Sequence, residues 1–390
     1  MRGLVLEGGG AKGAFHAGAL KALFERGYTF DGVTGTSIGA VNGAMVAQGD
    51  FDLCLELWQS ASPSMLFDCD NDMFIKLSKG EYDKTSLIYA LKLLKKVVSG
   101  RGVSISKPLK LIEQYVDEDK LRQSSIDYGL VTVDITNKWI PVEVFKEDIA
   151  IGELSKYILA SAYFPIFKRE SLVGKKFFDG GIHDNLPINP LIRKGYDEII
   201  TIRTMSNLPG QKVIDGTVKV NHINPSEGLG RTFDFTPDKI AYNLEMGYYD
   251  ALRFTDKLEG TKYYVKPFET SNLYNFLYNQ PISVYKSWSQ ELNVKGTRVD
   301  IVNALFAFIR SNYGMGVLAN EKTLFLELLE HYAMNLGIYR LKIYDKFEDF
   351  IEEIKETANK NTLMNDTKAE KLVNALLQIN TNQTENKNEN

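Results

Sequence analysis

Residues 30–50 read FDGVTGTSIGAVNGAMVAQGD. A short strand over Gly32–Gly35 runs into a tight turn at Gly35–Gly39, and a helix begins at once. That helix carries Ala40, Gly43, Ala44 and Ala47, small residues that let it lie close against a sheet. Upstream the same grammar occurs once already. Residues 2–7 (RGLVLE) form a short buried strand, residues 8–13 (GGGAKG) a glycine-rich loop, and Ala14–Arg26 a helix. Ala17, Leu20, Leu23 and Phe24 share one helix face, and Gly27 is placed to end the helix in a left-handed conformation. Strand–helix–strand–helix at this pitch implies an α/β domain built on a parallel sheet.

The pentapeptide Gly35-Thr36-Ser37-Ile38-Gly39 is G-x-S-x-G. On a strand-to-helix turn this pattern makes a nucleophile elbow: the two glycines admit a turn that side chains would crowd, and the serine oxygen is pushed out of the sheet edge. The following helix aims its positive end at the same spot. A serine used this way needs an anion site for the developing oxyanion and a base for its proton. The loop Gly8, Gly9, Gly10, Ala11, Lys12, Gly13 supplies the first: N–H groups at a helix N-terminus with no side chain in the way, and the Lys12 charge nearby. Both features follow strands expected to be adjacent and parallel, where α/β sheets place their sites.

The same loop also fits the G-x-G-x-x-G of a dinucleotide-binding turn. That reading needs a carboxylate about 20 residues on, ending the second strand. Asp31 is at that distance but precedes its strand, and Lys12 is followed by Gly13-Ala14, not by the G-K-[ST] of a phosphate loop. A nucleotide-binding module is the alternative to an acyl-transfer enzyme. The base is less well marked. His16 lies in the first helix, one turn past the loop, and reads as a helix-face histidine; His222 and His331 lie in segments without a motif, and His183 follows Asp179 by four residues. Asp179 is the stronger candidate. It ends a strand and precedes Gly180-Gly181, which lets backbone pass close beside it. Burial would have to raise its pKa from ~3.9 for it to serve.

Around these motifs, residues 50–125 read as mostly helical, YGLVTVDIT and WIPVEVF as neighbouring strands, and KYILASAYFPIF as a helix ending near Pro165. SLVGKKFFDGG reads as a hairpin turned at Gly174–Lys175, DEIITIRT as a strand, and YYVKPF (263–268) as the last strand of the sheet. Residues 63–77 carry Met65, Leu66, Phe67, Met73, Phe74 and Ile75 in a loop-like setting. They read equally as a lid or interfacial patch and as packing under a loop. The domain expectation is 1–270 catalytic, 275–376 helical, and 377–390 a disordered tail.

Three blocks in order resemble the patatin-like phospholipase family: Gly8–Gly13, Gly35–Gly39 and Asp179-Gly180-Gly181. Ala160-Ser161-Ala162-Tyr163-Phe164-Pro165 and NLPINP (185–190) resemble further family segments. The resemblance covers about residues 1–205 and does not reach the C-terminal helices. It implies a three-layer α/β/α sandwich with a mostly parallel sheet, plus the helical C-terminal region. It also implies a Ser37–Asp179 dyad without histidine, and cofactor-free, metal-independent hydrolysis of phospholipid or lysophospholipid esters. A general carboxylesterase or thioesterase is the nearer alternative. Composition agrees with a globular protein: 44% hydrophobic, 46 basic against 50 acidic residues, net charge −4. That balance gives no nucleic-acid footprint. Cys54 and Cys69 are not spaced as a metal site. No signal peptide or membrane-length apolar run is seen, so the expected location is cytoplasmic or peripheral to a membrane, with a homodimer left open.

Overall fold

A computed structural model of the 390-residue chain describes residues 1–66, 70–79, 81, 83–85, 88–89, 102–205, 207–313, 319–360 and 367–379. The chain divides into two compact units, Met1–Leu252 and Arg253–Asn390. Leu66, Phe67, Phe74 and Ile75 of the apolar stretch, Cys69, and the tail from residue 380 lie, wholly or in their side chains, outside the described residues.

The first unit is built on a sheet of seven strands: β1 (Arg2–Leu6), β2 (Gly32–Thr36), β3 (Asp127–Asp134), β4 (Ile140–Phe145), β5 (Phe177–Asp179), β6 (Glu198–Ile202) and β7 (Lys219–Ile223). The order is β4-β3-β2-β1-β6-β7, with β5 paired to β3. β3, β2, β1, β6 and β7 run parallel, while β4 and β5 are antiparallel to β3. Leu4, Val5, Leu6 and Ile199, Ile200, Ile202 are buried whichever way they point, as expected of parallel strands covered on both faces.

Helices α1 (Gly13–Glu25), α2 (Ile38–Ala47) and α3 (Phe51–Gln59) and the helix Leu154–Ser161 belong to the apolar core that includes Tyr128, Leu130 and Phe177. The short helix Asn189–Arg193 contributes Leu191 to a smaller core with Val5 and Ile199 on the other face. This is the expected three-layer arrangement. α1 departs from its expected one-sided pattern: Phe15, Ala19 and Ala22 are buried as well. The helix Pro237–Asp256 lies against it so closely that a Cβ on Gly18 would sit 1.8 Å from the Leu244 carbonyl oxygen, and one on Gly247 2.2 Å from that of Phe15. Gly27 ends α1 at φ 75°, as read.

Two strand readings need correction. Tyr264–Val265 (β8) is not the last strand of the main sheet. It pairs with Ile343–Tyr344 (β9) inside the second unit. Phe177–Asp179 does not return along residues 171–173. Those residues make only a tight turn, Leu172 against Lys175, and the strand proper pairs with β3. β7, KVNHI, is not marked as a strand by the sequence. Its half-exposed, partly charged residues lack a strand's usual apolar signal. The second unit is helical around Trp288, Phe325, Phe347 and Phe350. No helix among the described residues is long and apolar enough to cross a membrane.

The Gly18 contact yields a test. Gly18→Ala forces a methyl into a backbone carbonyl and is expected to cost about 1–3 kcal/mol, read as a lower urea midpoint with unchanged slope. An unchanged midpoint would contradict the close crossing of the two helices.

Candidate active site

The register along β3 brings the site together. β2 pairs with one edge of β3 as far as Thr36 opposite Val131. β4 occupies the other edge from Gly129 to Asp134. β5 therefore continues on the β2 side, where Asp179 lies opposite Thr132. One strand stops at the residue before Ser37, and the next position along β3 is taken by Asp179. The chain passes tightly there: a Cβ on Gly180 would fall 2.1 Å from the Val131 carbonyl oxygen.

Ser37 adopts φ 57°, ψ −125°, outside the regions ordinary residues favour, a strain of about 1–3 kcal/mol that surrounding contacts must hold. Gly35 and Gly39 permit the turn by sheer proximity, since a Cβ on Gly35 would stand 2.3 Å from Gly39 backbone atoms. Ser161 holds it from the side. The Ser37 N–H donates to Ser161 Oγ (3.0 Å), and that hydroxyl donates to the Val131 carbonyl (2.6 Å). A serine side chain thus bridges the gap at the end of the β2–β3 ladder. The sequence places Ser161 only in a family-like segment beside the site; nothing in the local sequence assigns it this contact.

Asp179 is buried, and its Oδ1 accepts from the Gly181 N–H (2.8 Å). Burial pushes its carboxyl up to about 6, against the opposing pull of the Ser37 hydroxyl and the Gly181 N–H. The Ser37 hydroxyl is thus close enough to act on the carboxylate, although Ser37 Oγ and Asp179 Oδ2 each lack a fully formed hydrogen bond. Catalytic hydrogen bonds of this kind tighten when substrate is held.

The glycine-rich loop is tied at both ends and open in the middle. The Gly8 N–H donates to the Asn185 carbonyl (3.1 Å), that of Ala11 to Thr232 (2.7 Å), that of Lys12 to Gly9 (3.3 Å), and that of Gly13 back into the loop. Among the described residues, the Gly9 and Gly10 amides donate to no protein acceptor. Gly10 holds φ 60°, and a Cβ there would meet the Thr232 carbonyl oxygen at 2.3 Å. Buried Glu7 anchors the base of the loop. Its Oε2 accepts from the amides of Thr204 (2.6 Å) and Met205 (3.1 Å) and faces Arg203 at 3.5 Å. A lone acid closing an apolar strand was the available signal for this anchor. The Lys12 ammonium is held below its usual pKa by burial.

Gly10 and Ser37 line one cavity of about 160 Å³ whose wall is otherwise almost wholly apolar: Val41, Met45, Trp58, Ile112, Phe164 and Phe235 among others. Met65 of the 63–77 stretch reaches it too. Cys54 is in the same wall, its thiol pushed up to about 12 by burial.

The histidines are elsewhere. His16 is fully buried, 3.4 Å from Asn42 Nδ2 and pushed down to about 3 by desolvation. His183 lies 3.9 Å from Glu143, and His222 shares a hydrogen bond with Thr201 (2.7 Å). His331 packs edge-on to Tyr313. Asp31, which a dinucleotide site would need, is at the opposite end of the sheet, its carboxylate accepting from the Arg2 N–H (2.7 Å). Among the described residues no group of three His, Cys, Asp or Glu side chains is arranged to hold a metal ion.

Residues 4–192 match the model of the patatin-like phospholipase family. The chain carries a domain of that family. Over 204 residues it is 29% identical to an uncharacterized NTE family protein of Mycobacterium bovis, covering 51% of this chain and 48% of that one. It is 30% identical to the Neuropathy target esterase sws of Drosophila melanogaster over 51% of this chain and 12% of the relative. The chain thus spans about half the length of the mycobacterial relative. Among solved structures it is similar to VipD from Legionella pneumophila at 15% identity and TM-score 0.41, covering 96% of this chain and 83% of that one.

Asp179→Asn tests the buried carboxylate in the patatin-like domain. A carboxyl raised above its unfolded value costs stability once pH exceeds the unfolded pKa, and that loss is complete above the folded value. Removing the charge should therefore leave the unfolding free energy unchanged near pH 4 and raise it progressively to about pH 6 and above, by up to about 3 kcal/mol, read from urea midpoints. A pH-independent difference would contradict a desolvated Asp179.

Proposed function

We propose that the chain hydrolyses carboxylic esters of lipids, with Ser37 as nucleophile and Asp179 as its base. One observation carries this reading: Ser37 and Gly10, whose amide has no protein acceptor among the described residues, line the same apolar cavity, and the buried carboxylate whose pKa the Ser37 hydroxyl influences is raised to about 6. The family of residues 4–192 supports it. The apolar wall suits an acyl chain and offers nothing to a polyphosphate, which weighs against the nucleotide reading.

In the proposed reaction Asp179 takes the Ser37 proton as Oγ adds to the ester carbonyl. The Gly9 and Gly10 N–H groups receive the oxyanion, each such donor contributing about 3 kcal/mol to the barrier reduction. Collapse of the tetrahedral adduct expels the alcohol or lysolipid, which takes the proton from Asp179. Water, deprotonated by the same carboxylate, then releases the fatty acid. A carboxylate at its ordinary pKa would be a weak base for a hydroxyl, and the dry setting of Asp179 corrects this in part. The helix α2 dipole favours the developing negative charge.

The deciding experiment is incubation of the full chain with a mixed lipid extract, followed by mass spectrometry. Fatty acids should accumulate as phospholipid or lysophospholipid disappears, and neither change should occur with Ser37→Ala. Release that persists in Ser37→Ala would remove the nucleophile assignment. Turnover of short thioesters or acetate esters without any lipid cleavage would favour a general esterase. The rate should fall as pH drops through about 6, because Asp179 must be unprotonated. Val41→Phe, which fills the cavity, should cut hydrolysis of long acyl esters by roughly tenfold or more while sparing acetates. An equal effect on both would show that the acyl chain lies elsewhere.

A further inference from the structure

The hairpin joining β3 to β4 extends beyond the candidate site on the same sheet edge. Asp134 is two residues past Thr132, the partner of Asp179, hence about 7 Å further along the strand. The chain turns only after that. At the turn Trp139 is 65% exposed and Ile140 52%. Trp139 is not loose: one side of its ring packs on Phe178, centroids 5.5 Å apart, and Phe178 immediately precedes Asp179. The neighbouring turn at 172–175 is strapped to the hairpin. Lys176 N–H donates to Thr136 Oγ1 (2.9 Å), and Ile135 N–H to the Lys176 carbonyl (2.8 Å).

This strap gathers Lys138, Lys175 and Lys176, all exposed. Segments 135–140 and 171–177 contain no acid. The acids that immediately precede them, Asp134 and Glu170, lie 3.5 Å from Lys175 and 3.3 Å from Lys168, so the cluster with Lys168 and Arg169 keeps an excess of positive charge in a chain whose net charge is −4. On the other flank of the Asp179 block Leu208 is 44% exposed and reaches within 3.0 Å of where a Cβ on Gly181 would stand. The block is bordered by exposed apolar side chains on both sides.

We propose that this Trp139-tipped, lysine-bearing edge docks the protein on an anionic lipid surface, setting the candidate site against the bilayer. The proposal rests on the reading of Ser37 as a lipid-ester nucleophile. An exposed indole backed by Phe178 and lysines with apolar stems match the headgroup boundary, where the ring enters the interface and the ammonium groups meet anionic headgroups. A second copy of the chain fits less well, because a self-complementary contact here would bring the lysine clusters together.

The test is flotation of the full chain with vesicles of phosphatidylcholine alone or mixed with phosphatidylserine, alongside hydrolysis of a soluble short-chain ester. Binding should require phosphatidylserine, weaken at high salt, and fall about fivefold for each of Lys138→Gln, Lys175→Gln and Lys176→Gln. Trp139→Ala should lower it several-fold, while all four variants keep wild-type turnover of the soluble ester. Equal binding by wild type and variants, or equal binding to both vesicles, would overturn the docking edge. So would light scattering that shows a dimer lost in the variants, which would assign the edge to a second copy. Failure of the wild type on the soluble ester would instead strike the active-site reading and leave the vesicle result to be judged on its own.

Discussion

The site exists because two strands share one edge of a third. β3 is long enough to serve β2 and then β5 along the same side, and the handover falls between Val131 and Thr132. The backbone must leave the sheet at Ser37 for Asp179 to enter it. The strained turn, the glycines that permit it and the Ser161 bridge are consequences of that handover. A ladder continued by one more residue of β2 would displace the carboxylate. A β5 shifted by one residue would turn Asp179 to the opposite face of the sheet.

The same economy governs the glycine-rich loop, the proposed oxyanion site. Four of the six loop amides are spent on internal bonds, to Asn185, to Thr232 and within the loop. The Thr34 and Thr36 hydroxyls donate to the carbonyls of Pro187 (2.7 Å) and Asp184 (2.8 Å), fixing the segment that in turn holds Gly8. Glu7 fastens the loop to the residues after β6. These bonds make the loop rigid, and a rigid pair of open amides needs no reorganisation when charge appears before it.

Those positions whose geometry only particular residues tolerate were legible in the sequence. Gly35 and Gly39 announce a turn because contact at 2.3 Å and 2.1 Å excludes any Cβ, and the loop and the D-G-G block announce themselves in the same way. The adjacency of β1 and β2 followed from their alternation with helices. What was not legible depends on partners distant in the chain. Three residues, Phe177–Asp179, carry no sign of which strand they will join, and Tyr264–Val265, equally strand-like, joined a different sheet. Ser161 looks like any helix-terminal serine until Val131 and Ser37 are brought to it. The cavity draws on residues from Gly10 to Phe235, so no window of sequence contains it.

In the proposed mechanism Ser37 reacts because the Asp179 carboxylate accepts its proton. The most direct measurement is the rate at which a fluorophosphonate modifies Ser37 as a function of pH, in the native chain and in Asp179→Asn. The rate should rise with a midpoint near pH 6 in the native chain and stay low and pH-independent in the variant. The same sigmoid persisting in Asp179→Asn, or modification at a serine other than Ser37, would contradict it.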